Sequence, residues 1–118
     1  MPALSPTVLV VEDEPVVLAT MSRALVEAGF RVVGAKDGIE ALEMLLAEPE
    51  VGLVVSDIVM PRMDGNELAG RLPPDLPILF VSAFGQSETR DVRWPTLMKP
   101  FPPASLVSSV RALFPKKV

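Results

Sequence analysis

Four apolar runs in this chain of 118 residues end in side chains that can do chemistry. Val8 to Val11 runs into Glu12 and Asp13, Val51 to Val55 into Ser56 and Asp57, Ile78 to Val81 into Ser82, and the short Thr96 to Met98 into Lys99. If these ends share one crevice, Glu12, Asp13 and Asp57 form a carboxylate cluster that repels itself unless a cation or a proton sits among them. Mg²⁺ suits the inventory, because it takes oxygen ligands, keeps several waters, and is held by one or two carboxylates plus phosphate oxygens. Ser82 adds a hydroxyl donor, and Lys99 a positive charge that can pair with Asp57 or a phosphoryl oxygen. A carboxylate nucleophile, a metal, a hydroxyl and an ammonium are what phosphoryl transfer to an aspartate needs, since catalysis there is mostly positioning and charge neutralisation.

Taken singly, each residue has a plainer reading. A strand-end Asp is commonly a cap or a turn residue. Glu12 and Asp13 are also favourable charges ahead of a helix. Ser82 alone reads as a satisfied hydroxyl and Lys99 alone as a solvated charge; their weight comes from the combination.

Composition narrows the remaining chemistry. The chain has neither Cys nor His, which leaves no disulfide, thiolate or typical zinc site, so any metal must be held by oxygen. A net charge of −4 with no basic face or aromatic interleaving argues against direct nucleic-acid binding. The opening MPALSPT is not a signal sequence and no apolar stretch is long enough to span a bilayer, so cytoplasmic residence is the default. Hydrophobic residues at 49% with a mean hydropathy of +0.40 favour one compact domain, residues 1–118 with a core at about 7–114.

The elements that must position these residues can be read in order. Thr7 to Val11 is a buried strand; Pro15 opens a helix whose Val17, Leu18, Met21, Leu25 and Ala28 recur at helical spacing up to Gly29. Phe30 to Gly34 is a second strand. Asp37 caps a helix whose buried face is expected from Ile39, Leu42, Leu45 and Leu46. The strand ending at Asp57 gives way to a loop with Pro61 and Gly65, the latter expected in a turn with positive φ, with Asp64 as its turn partner. Asn66 to Leu72 is a short helix, Pro77 to Val81 the fourth strand, and Thr96 to Met98 the fifth. Ser87 to about Arg93 offers a short helix stopped by Pro95, and Pro103 opens a last one with Leu106, Val107, Val110, Leu113 and Phe114 on one face. Phe84 and Trp94 are read as cover for the core. Strands alternating with helices imply parallel pairing through right-handed crossovers, an α/β sheet covered on both faces.

The runs VLVVEDEP, DIVMPRMDG, LPILFVSA and LMKPF, in that order, resemble the receiver domains of two-component response regulators over about Val8 to Phe114. The resemblance implies a flavodoxin-like (βα)5 fold with strand order 2-1-3-4-5. It implies that Asp57 is the phosphoacceptor and that Asp13 and Asp57 bind Mg²⁺, with Glu12 acting through water and Val59 through its backbone carbonyl. Ser82 would approach the phosphoryl group, Lys99 would pair with it, and the Lys99-Pro100 bond would be cis. The implied partners are a histidine kinase or phosphotransfer protein and a downstream protein target, with homodimerisation a family option.

Three departures from the family pattern stand out. Thr96 occupies the position, three before the lysine, where the family usually has Tyr or Phe, so its usual coupling of hydroxyl movement to an aromatic rotamer cannot operate unchanged. The stretch from Ser82 to Lys99 is short and contains Pro95, which makes the fourth helix short or irregular. The third helix is also abbreviated between Gly65 and Pro73. Two rival readings follow. An aspartyl-phosphate phosphatase of the haloacid dehalogenase type would carry a second Asp where this chain has Val59, and a substrate cap it has no length for; the chain is therefore read as not an enzyme. A receiver-like docking or dimerisation module acting without phosphorylation is the alternative that Thr96 leaves open.

Overall fold

The computed structural model describes residues 7–83 and 93–114. Five parallel strands lie in the order β2-β1-β3-β4-β5: β1 Thr7–Val11, β2 Arg31–Ala35, β3 Val51–Asp57, β4 Ile78–Ser82 and β5 Thr96–Met98. Four helices are described among these residues, α1 Pro15–Glu27, α2 Gly38–Ala47, α3 Gly65–Arg71 and α4 Pro103–Leu113. The Ser87 to Val92 stretch read as a short or irregular fourth helix lies outside the described residues, as does Phe84.

Strands buried on both faces need apolar residues at every position, and β1 and β4 are buried throughout. Alternate residues go to opposite layers. Leu9, Val11, Val54, Ile58, Ile78 and Phe80 pack with Ala41 of α2 and Leu68 of α3. Val8, Val10, Leu53, Val55, Leu79 and Val81 pack with Met21 and Leu25 of α1 and Leu106 and Val110 of α4. Trp94 packs against the first layer, as core cover. No helix among the described residues is long and apolar enough to cross a membrane.

Two local expectations are corrected. Ile39 and Leu46 do not face the core: they are 44% and 87% exposed. The inward stripe of α2 is instead Gly38, Ala41, Leu42 and Leu45, the i, i+3, i+4, i+7 set, which leaves residues 39 and 46 together on the outer side. Gly65 is not a positive-φ turn residue; it is the first residue of α3, capped by Asp64, whose side chain accepts from Glu67 N at 2.8 Å. Its glycine is required for space, because a Cβ there would lie 2.5 Å from the Asp57 carbonyl oxygen. The positive φ in this loop falls on Arg62, at 67°.

The opposite end of the sheet has its own close approach. The β1–β3 register slips between Thr7 and Val8, so that Gly52 is an extra residue in β3. The ring of Phe114 lies over it, where a Cβ at Gly52 would come within 2.8 Å, and stacks on Phe30 with centroids 5.6 Å apart.

Candidate functional site

Parallel pairing brings the C-terminal ends of the strands to one edge, and the register decides which side chains meet. Val11 pairs with Ser56 and Asp57 pairs with Val81, so Glu12, Asp57 and Ser82 emerge side by side; Ser82 in turn pairs with Met98, the neighbour of Lys99. Backbone bonds extend each ladder by one step. Glu12 N donates to Ala35 O at 3.0 Å, Ile58 N to Val81 O at 3.3 Å, and Lys99 N to Ser82 O at 2.8 Å. The functional side chains thus leave from backbone still held by the sheet. The Lys99-Pro100 peptide is cis, as the resemblance implied.

The Lys99 ammonium sits between two carboxylates, donating to Asp57 Oδ2 at 2.9 Å and to Glu12 Oε1 at 3.1 Å. The other oxygen of Glu12 accepts from Glu14 N at 3.2 Å. Glu12 is 1% exposed, Asp57 9% and Ser82 2%, whereas Asp13 reaches the same place from an exposed position. One carboxylate oxygen from each of Glu12, Asp13 and Asp57 lies within 4.8 Å of the others. Val59 lies in the loop two residues past Asp57 and is 61% exposed. The structure therefore unites Glu12, Asp13, Asp57 and Lys99, and places Ser82 and Val59 at their flanks.

Burial pushes the Glu12 carboxyl up to about 7, against the pull of the hydrogen bonds from Glu14 N and Lys99, and the nearby Asp57 charge pushes the same way. Burial also opposes the charged form of Lys99, but hydrogen bonds and charge from Asp57 and Glu12 outweigh it and raise its pKa. Three carboxylates against one ammonium leave an excess negative charge that a divalent cation would neutralise. The donors are hard oxygens close enough to share one ion, which fits Mg²⁺ and excludes soft metals.

Sequence reading missed two contacts, one within this site and one in the loop that follows Asp57. Glu14 contributes through its backbone rather than its carboxylate. Arg62 bonds the buried Asp37 carboxylate from 25 residues away, a pairing that no helical or strand period encodes; the only sequence hint was an Arg inside a loop otherwise built from Pro, Met, Asp and Gly.

A family model for the response regulator receiver domain matches residues 8–111. The chain is 35% identical over 116 residues to the response regulator receiver protein CpdR of Brucella abortus, covering 90% of this chain and 94% of that protein. It is 40% identical over 122 residues to the sensor kinase CckA of the same organism, where it covers 96% of this chain but spans only 13% of the kinase's length. Among solved structures, the receiver domain of the hybrid histidine kinase CckA superposes with a TM-score of 0.79 at 30% identity, over 91% of this chain and 97% of that one. Chemotaxis protein CheY4 of Vibrio cholerae superposes with a TM-score of 0.83 at 29% identity, over 94% of this chain and 100% of that one.

Proposed function

Because the chain belongs to the response regulator receiver domains, we propose that it accepts a phosphoryl group on Asp57 from a phosphohistidine of a sensor kinase or phosphotransfer protein and signals by protein contact. The observation that carries this reading is the position of Asp57: a mostly buried carboxylate at a strand end, bonded to Lys99 and clustered with two further carboxylates. In the step proposed, an Asp57 oxygen attacks phosphorus in line, the bond from phosphorus to the donor's nitrogen breaks, and an acyl phosphate forms. Glu12, Asp13, Asp57 and the Val59 carbonyl are the residues that would hold Mg²⁺, which when bound neutralises charge on the transferring oxygens.

Lys99, already poised on Asp57, shifts its bond to a phosphoryl oxygen, and Ser82 donates its hydroxyl to another. The chain's own chemistry ends with the acyl phosphate, so it acts as a phosphorylated switch and not as a turnover enzyme. Cytoplasmic residence fits a phosphohistidine donor. The second reading, docking without phosphorylation, is favoured by Thr96: its Oγ1 is buried without a hydrogen-bond partner among the described residues, at the position where the family usually carries an aromatic ring.

Intact mass after incubation with acetyl phosphate and Mg²⁺ tests both. The parent is expected to gain one phosphoryl mass and Asp57→Ala none. If folded parent protein gains no mass, phosphorylation is wrong and docking becomes the account.

A further inference from the structure

The loop between β3 and α3, residues 58–64, carries Val59 and frames one side of the carboxylate cluster. Three features hold its backbone. At its base, Gly65 N donates to Ile58 O at 2.7 Å, with the helix start pressed against the Asp57 carbonyl. At its apex, Met63 N donates to Pro61 O at 2.7 Å across Arg62. With φ at 67°, Arg62 is the centre of a three-residue turn in the rarer, more strained of its two forms. Gly or Asn would adopt that φ more easily, so Arg is a costly residue there unless its side chain contributes something in return.

What it contributes is the third feature. The Arg62 Nη2 donates to Oδ2 of Asp37, a carboxylate only 2% exposed. The other oxygen, Oδ1, accepts from Glu40 N at 2.8 Å and caps α2. Capping needs one oxygen; the second would be a buried charge without a partner if Arg62 were absent. Beside the pair, Met63 packs so closely on Gly38 that a Cβ there would come 2.8 Å from its Cγ and Sδ. The loop is thus fastened to the N-terminal end of α2 by an ion pair and by a packed side chain.

We infer that Arg62 is a positioning residue: its ion pair with Asp37 latches the β3–α3 loop to α2, and so fixes the backbone through Val59 on which the metal affinity of the acidic cluster depends. The metal half of this inference rests on the proposed function, and the latch itself does not. Arg62→Gly separates positioning from mere stability, because Gly relieves the positive φ while removing the latch. In Arg62→Gly relief of the positive φ offsets part of the cost of the unpaired Asp37 oxygen, so the unfolding midpoint is expected to fall only modestly, while amide exchange at Met63 and Gly65 quickens. Mg²⁺ affinity measured by calorimetry is expected to weaken about tenfold, the lower end of what outer partners of a metal site cost.

Arg62→Lys should restore part of both effects. Asp37→Asn should match Arg62→Gly in loop exchange and Mg²⁺ affinity, because the amide NH2 that replaces one carboxylate oxygen donates and cannot accept from Glu40 N or Arg62, and combining the two changes should add little. Amide exchange at Met63 and Gly65 equal to the parent in Arg62→Gly would overturn the latch. Faster exchange with unchanged Mg²⁺ affinity would overturn its link to the metal. A parent that binds no Mg²⁺ at all would sink the proposed function, and the exchange measurement would still decide the latch.

Discussion

Each end of the sheet holds one cation between two carboxylates. At the C-terminal ends of the strands Lys99 joins Glu12 and Asp57; at the opposite end Arg31 joins Glu48 at 3.1 Å and Glu50 at 2.5 Å. The composition of the two triads is the same, and burial separates them. Side-chain exposure is 24% for Lys99, 0% for Glu12 and 12% for Asp57, against 52% for Arg31, 25% for Glu48 and 42% for Glu50. Water screens the exposed Arg31 triad, whereas the Lys99 triad must neutralise its charges internally. Only the second can store an electrostatic imbalance for a phosphoryl group or a divalent cation to relieve.

Removing each cation should separate the triads most sharply. Lys99→Ala leaves Glu12 and Asp57 facing each other, and metal-free protein is expected to lose about 2 kcal/mol in urea unfolding, less than for a fully buried pair because Lys99 keeps some exposure. Phosphorylation by acetyl phosphate should slow in the same variant, and Mg²⁺ should recover part of the lost stability.

Next in size is the pH response of Glu12. Its folded value, about 7, lies above the ordinary 4.5, so the native state holds this proton longer than the unfolded chain does. That contribution to stability is full below 4.5 and is lost as pH rises to about 7, a change on the order of 2 kcal/mol after allowance for screening. Glu12→Gln should remove this decline in the presence of chelator. A parent and variant with parallel stability profiles would show that the Glu12 carboxyl is not held up by burial.

The smallest effect is expected at the exposed triad. Arg31→Ala should leave the unfolding midpoint within error at moderate salt and lower it slightly, if at all, at low salt. A loss as large as that of Lys99→Ala would break the distinction drawn between the two ends.

The fold was largely legible because parallel strands buried on both faces write themselves as unbroken apolar runs, and β1 and β5 matched their expected bounds. The edge strand β2 shifted by one residue: Phe30 belongs to the aromatic stack on Phe114, and exposed Arg31 opens the ladder. In α2, Leu and Ile are as many as the inward positions but do not coincide with them, so hydrophobicity alone could not say that Ala41 faces the core and Leu46 the solvent. The site was legible as far as strand ends and resemblance reach, which covers Glu12, Asp13, Asp57, Ser82 and Lys99. Arg62 was not. Its role depends on a turn that inverts one φ and on an Asp whose visible duty, capping α2, accounts for only one of its two oxygens.

The seat of Phe114 over Gly52 fixes where the last helix ends. Gly52 and Asp57 lie five residues apart on one strand, about 16 Å at the usual rise. The end of the last helix therefore lies at the base of the sheet, at the far end of β3 from the edge bearing Asp57. The same ring leaves little room for a side chain at Gly52, so a larger residue there would displace Phe114 from its stack on Phe30.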